Sequence, residues 1–192
     1  MLTARRPAGL FDLFDSSPWG AAAGRRLPRT NTPPPLYTPE ERVRRDRSPW
    51  TLVQGVLAPL QFVVFLVSLA LVLRYLATGE GFAIATSSVV AKTAVLYTIM
   101  ITGCIWEKEV FGRYLFAPAF YWEDMFSMLV LALHTAYLGA VFAGLGGAHW
   151  QMLLALAAYA AYVVNAAQFV MKLRAARLQE ARVDSMGGMR TT

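Results

Sequence analysis

Three acidic side chains and a histidine stand out because each interrupts an apolar stretch. In WEKEVFGRYLFAPAFYWEDMFSMLVLALHT, Trp106 to Thr135, Glu107 follows one long hydrophobic run, Glu123 and Asp124 open the next, and His134 lies inside it. Such groups are costly away from water unless they are paired or do chemistry. A carboxylic acid in an apolar setting keeps its proton at neutral pH, and an ionised neighbour can orient water and accept a proton from it. The same acids also suit a plain helix start, where the macrodipole favours negative charge. His134 can be a neutral interhelical hydrogen-bonder, a metal ligand or a proton carrier. If the segment is helical, Glu123, Ser127 and His134 share one face, since eleven residues complete three turns to within about 20°. Glu123 and His134 are nevertheless about 16 Å apart along the axis, so one compact site cannot easily use both.

The elements that must position these residues follow from the distribution of charge. Of 192 residues 56% are apolar and only 16% charged, against about a quarter charged in an ordinary soluble domain. Between Trp50 and Met171 the charged residues are Arg74, Glu80, Lys92, Glu107, Lys108, Glu109, Arg113, Glu123 and Asp124, mostly between apolar runs. The expected fold is all-α, an integral membrane four-helix bundle with spans at about 50–77, 84–106, 122–143 and 150–173. Pro59 should kink the first span, in which Gln54 and Gln61 fall on one face. Lys92 has two open fates, snorkelling to the interface or pairing with a buried acid. The fourth span contains Asn165 and Gln168, and its alanines, including Ala157 and Ala161, favour close helix packing.

Nine Lys or Arg precede Trp50, five follow from Lys172 onward, Lys108 and Arg113 lie in the middle connector, and Arg74 is alone near the opposite loops. Both termini and that connector are therefore expected in the cytoplasm. Residues 1–36 read as a disordered Arg- and Pro-rich extension, 37–178 as the membrane domain, and 179–192 as a flexible tail. Thr38-Pro39-Glu40-Glu41 carries a capping-box pattern that should start a short basic interfacial helix before Pro49. The net charge of +6 belongs to these flanks and reads as membrane orientation, with no nucleic-acid partner. Cys104 has no second cysteine to pair with.

Three blocks carry a family likeness: WTLVQGVLAPLQFVVFLVSLALVLRYLATGEG, IWEKEVFGRYLFAPAFYWEDMFSMLVLALHTAYL and MLLALAAYAAYVVNAAQFVMKLRAARL. Over about Tyr37 to Leu178 the chain resembles the 3-vinyl bacteriochlorophyllide hydratase family of bacteriochlorophyll biosynthesis. The resemblance implies a hydro-lyase that adds water across the 3-vinyl group of a chlorophyllide or bacteriochlorophyllide, giving the 3-(1-hydroxyethyl) product without redox chemistry or a cofactor. It implies a bacterial inner membrane location, cytoplasmic or intracytoplasmic, and other pigment-biosynthesis enzymes as neighbours. It carries no residue assignments, which must come from physical chemistry.

That reaction needs a proton on the terminal vinyl carbon and water at the inner one. Glu123, Asp124 and Glu107, at one bilayer edge, are the candidate catalytic residues. Lys108 and Arg113 are placed to hold the substrate's propionate, and Tyr121 and Trp122 to stack on its ring or form an interfacial belt. His134 is a candidate substrate-binding residue and a possible ligand of the substrate's magnesium; no metal site of the protein's own is expected. The rival reading is a non-catalytic chlorin-binding or assembly subunit of a photosynthetic membrane complex, with His134 and the aromatics holding pigment permanently.

Overall fold

The computed structural model describes residues 36–188. Apart from Leu36, the expected extension over 1–36 lies outside the described residues, as do the last four positions of the expected tail. The described chain forms five helices in the order α1 Pro39–Arg47, α2 Pro49–Thr78, α3 Phe82–Phe111, α4 Tyr121–Phe142 and α5 Ala148–Gly188, with no strand among the described residues. Helices α2 to α5 are each long and apolar enough to cross a membrane.

Helix α1 starts as its sequence dictates. The Glu41 amide donates to Thr38 Oγ1 at 3.2 Å, and the Thr38 amide donates to Glu41 Oε2 at 2.8 Å. These two bonds satisfy donors that would otherwise be orphaned at a helix N-terminus. Ser48 separates α1 from α2 and donates to Glu109 Oε2 at 2.7 Å, which ties the α1–α2 joint to the end of α3.

Short links make two antiparallel hairpins. Gly79, at φ 75°, ends α2 in the left-handed conformation that favours glycine, and α3 starts three residues later. Along α2–α3 the register is fixed by Trp106 Nε1 donating to Thr51 Oγ1 at 2.9 Å and Gln54 Nε2 donating to Thr102 Oγ1 at 2.8 Å. Pro59 lies within α2, which runs unbroken through it. Helix α3 continues to Phe111, past the expected boundary at 106, because leaving an apolar environment removes no backbone hydrogen bond; the helix stops where Gly112 turns left-handed at φ 79°. For the same reason α5, rich in Ala, Leu, Arg and Gln, runs to Gly188.

The hairpins meet where α2 packs on α5 and α3 on α4. Phe65, Val89, Leu96, Val130, Tyr159 and Tyr162 lie in the shared core. The Phe65 ring stands 4.8 Å from Tyr162 and edge-on to Tyr159 at 5.4 Å. Ser68 Oγ lies 2.5 Å from the Tyr159 hydroxyl and 2.7 Å from Ser88 Oγ, joining α2, α3 and α5. Outward faces are apolar, with Leu52, Val56, Val63, Ile101, Leu129 and Val163 exposed, as a hydrocarbon solvent permits.

Candidate active site

The predicted carboxylates converge at one end of the bundle. Glu107 comes from the last turns of α3, Glu123 and Asp124 from the first turn of α4, and all three are buried. Glu107 and Asp124 are close enough to interact electrostatically across the α3–α4 joint. Each also accepts from the connector: the Phe116 amide donates to Asp124 Oδ2 at 2.8 Å, and the Ala117 amide to Glu107 Oε1 at 2.9 Å. Two adjacent amides are thus held by acids from two helices. The turn that presents them puts Phe116 at φ 59°, a left-handed conformation that a bulky residue adopts only when its surroundings impose it.

Glu123 is held differently. Lys172, from α5, donates to Glu123 Oε2 at 2.6 Å. The three acids are thus held in two ways, Glu107 and Asp124 by connector amides and Glu123 by a cation. Lys172 Nζ also lies 5.0 Å over the Phe120 ring, which stacks on Phe169 at 5.9 Å. Tyr37, Val110 and Phe120, with Trp106 and Phe111 against them, form an aromatic layer at this end of the bundle. One turn inside, Asn165 Nδ2 donates to Ser127 Oγ at 2.9 Å and joins α5 to α4.

The other expected site residues stand apart from the acids. Lys108 and Arg113 are exposed, and Lys108 Nζ donates to the Gly112 carbonyl at 2.9 Å. Tyr121 and Trp122 point outward, 46% and 68% exposed, with their rings edge to face at 5.7 Å. They precede the buried Glu123 and Asp124 on the same first turn of α4, so the helical twist alone sends the aromatics out and the acids in.

His134 is fully buried and separate from the acids. Its Nδ1 lies 2.8 Å from the Val130 carbonyl and its Nε2 2.8 Å from Lys92 Nζ. A carbonyl only accepts, so Nδ1 carries the proton and Nε2 accepts from Lys92. With both ring nitrogens engaged, a magnesium ion can reach Nε2 only by displacing Lys92. Neither fate foreseen for Lys92 occurs. It lies ten residues into α3, about 15 Å along the axis, too deep for its stem to reach the helix end. Its partner is an imidazole rather than an acid, and its Nζ also stands 4.2 Å over the Tyr162 ring.

Sequence reasoning missed two partners, Lys172 for Glu123 and Lys92 for His134. A signal for the first was present: the α4–α5 loop is short, and folding the hairpin about it brings Lys172 to the level of Glu123. No comparable signal existed for the second, because an irregular nine-residue connector, residues 112–120, separates α3 from α4.

Comparison with known proteins finds relatives along most of the chain. The family model of 2-vinyl bacteriochlorophyllide hydratase (BCHF) matches residues 37–175. The 2-vinyl bacteriochlorophyllide hydratase of Rhodobacter capsulatus is 65% identical over 150 residues, covering 78% of this chain and 87% of that protein. The protein of the same name from Cereibacter sphaeroides is 68% identical over 143 residues, covering 74% of this chain and 89% of that one. No solved structure matches. The match covers α1 to α4, the first part of α5 and all the residues of the acidic cluster, and the chain belongs to the 2-vinyl bacteriochlorophyllide hydratase family.

Proposed function

We infer that this protein hydrates the vinyl group of a bacteriochlorophyllide or chlorophyllide to a 1-hydroxyethyl group in bacteriochlorophyll biosynthesis. The carbon concerned is numbered 3 in current tetrapyrrole nomenclature and 2 in the older one used in the relatives' names. The protein is a multi-pass membrane enzyme with four spans. Its place is the bacterial inner membrane, with both termini and the 112–120 connector cytoplasmic and α1 lying along the interface. The support for that orientation is the excess of Lys and Arg in the flanks.

The observation that carries the mechanism is the convergence of three buried acids at one end of the bundle, Glu107 and Asp124 on adjacent connector amides and Glu123 on Lys172; we assign a shared proton to the first two. Glu107 or Asp124 delivers the shared proton to the terminal vinyl carbon, which becomes a methyl group. Positive charge develops on the inner carbon and is spread by the macrocycle. Water adds through its oxygen to that carbon, and Glu123 takes the proton the water loses. The proton then returns to the Glu107–Asp124 pair, so the cycle consumes one water, with no oxidant or reductant. Lys172 holds Glu123 in place for this step. Lys108 and Arg113 draw the substrate's propionate to this end of the bundle, and Tyr121 and Trp122 offer exposed rings to a flat macrocycle arriving from the bilayer edge. His134 keeps the helices in register through Lys92 and does not bind the pigment's magnesium.

The test is expression in a host lacking this pathway, with vinyl chlorophyllide supplied and the pigments separated afterwards. Wild-type protein should form the hydroxyethyl pigment. Glu107→Gln, Asp124→Asn and Glu123→Gln should each accumulate in the membrane and lose at least about a hundredfold in rate. Full activity in all three would sink the carboxylate mechanism. A protein that purifies with stoichiometric pigment and never changes its vinyl group would instead establish the pigment-binding role.

A further inference from the structure

A hydratase needs a water held where its base can reach it, and the interior of the bundle beside the acids holds acceptors that the protein leaves unmet. Among the described residues, Gln61 Oε1, Asn165 Oδ1 and Gln168 Oε1 are buried without a hydrogen-bond partner. Gln61 is only 3% exposed. Hydrocarbon supplies no donor, and buried amides without one are rare in folded proteins.

Helix geometry places the three amides on facing sides of α2 and α5, between the Phe65–Tyr162 contact and the acids. Helices α2 and α5 are antiparallel and touch where Phe65 meets Tyr162. One turn from that contact toward the acids come Gln61 on α2 and Asn165 on α5. Gln168 and Lys172 follow Asn165 on the same face of α5, since seven residues make two turns to within about 20°. Asn165 is bonded to Ser127, one turn from Glu123, and Lys172 is bonded to Glu123 itself. The column ends on the carboxylate, and its far end is closed by Tyr162 beneath Lys92 and His134.

We propose that Gln61, Asn165 and Gln168 line an internal water site that opens onto Glu123, refills through that end beside the partly exposed Lys172, and delivers the water consumed in the hydration. Water fits because it donates two hydrogen bonds and still accepts one, so a short file of waters meets several acceptors and passes the donor on. The supply role rests on Glu123 as the base; the presence of water in the column does not.

The full-length protein in lipid nanodiscs, without pigment, is exposed to a brief X-ray pulse in water enriched in oxygen-18, and labelled side chains are located by mass spectrometry. Radicals born from bound water should label Phe65 and Tyr162, which flank the column, while the buried Met152, away from the three amides, stays unlabelled. The near-isosteric pair Gln61→Met and Asn165→Leu should reduce that label at least about fivefold and lower kcat about tenfold with KM for the vinyl pigment within about twofold. Absence of label at Phe65 and Tyr162 in the wild type, which needs no variant to fold, overturns the water site. Label that persists undiminished in the double variant also overturns it. Lost label with unchanged kcat overturns the supply role. Label retained in a fully active Glu123→Gln protein leaves the water site standing and removes Glu123 as the base.

Discussion

The Lys92–His134 pair offers a quantitative test of the division between a structural centre and a reacting end. Both side chains are fully buried, joined at 2.8 Å, with Lys92 also over Tyr162. Interhelical hydrogen bonds in membrane proteins average about 0.6 kcal/mol and reach about 1.7, because the unfolded chain in lipid also finds partners. A bond with no solvent access, reinforced by a cation–π contact, belongs at the top of that range. Lys92→Met leaves a neutral imidazole nitrogen unmet and should cost about 1.5 kcal/mol. His134→Leu strips the amine of its acceptor and should cost about 2.5 kcal/mol, the larger penalty because a group that can carry charge is left unpaired. The double variant should also cost about 2.5 kcal/mol rather than the additive value of about 4, a coupling of about 1.5 kcal/mol. Unfolding in bicelles titrated with dodecyl sulfate, followed by circular dichroism and tryptophan fluorescence, measures all three. Hydroxyethyl formation per folded molecule should stay within about threefold of wild type throughout. Additive costs would refute the energetic argument, and loss of turnover in the folded Lys92→Met protein would refute the structural assignment of this pair.

Two further predictions concern the acidic end. Lys172→Met removes the partner of a nearly buried carboxylate while Lys172 itself is 26% exposed, so the cost should be discounted to about 1–2 kcal/mol; kcat should fall more than KM rises, and unchanged kinetics would show that Glu123 needs no cation beside it. Phe116 holds a left-handed backbone with its ring 5.7 Å from Tyr121; by unfolding measurements Phe116→Val should be less stable than Phe116→Gly by about 1–2 kcal/mol, because only glycine reaches that conformation without strain. Equal stabilities would mean that the turn relaxes on substitution.

The helices and their caps are local consequences of composition, which is why they were legible. An apolar run long enough to cross a bilayer must close its own hydrogen bonds, so length and hydropathy alone locate α2 to α5 to within a few residues at most ends. Thr38, Pro39 and Glu41 fix the start of α1 through contacts three residues apart. Overruns occurred where the chain leaves the apolar segment, at Phe111 and beyond residue 173, because hydropathy marks a change of environment and not the end of a helix. The convergence of Glu107, Glu123 and Asp124 was legible too, since acids flanking a connector between two spans must return to the same end of the bundle.

Partner choice was not legible, for a geometric reason. Which residue on one helix faces which on another depends on axial register and rotation, and one residue of slip turns a helix face by about 100°. The sequence therefore determined a four-span helical membrane protein with its acids gathered at one end, and placed His134 too far along α4 to share their site. Only the tertiary structure decided that Glu123 is the ion-paired acid while Glu107 and Asp124 accept from the connector amides, and that Lys172 and Lys92 are the missing partners. Those assignments depend on the rotation of α5 against α4 and α2, a packing choice that local patterning leaves free.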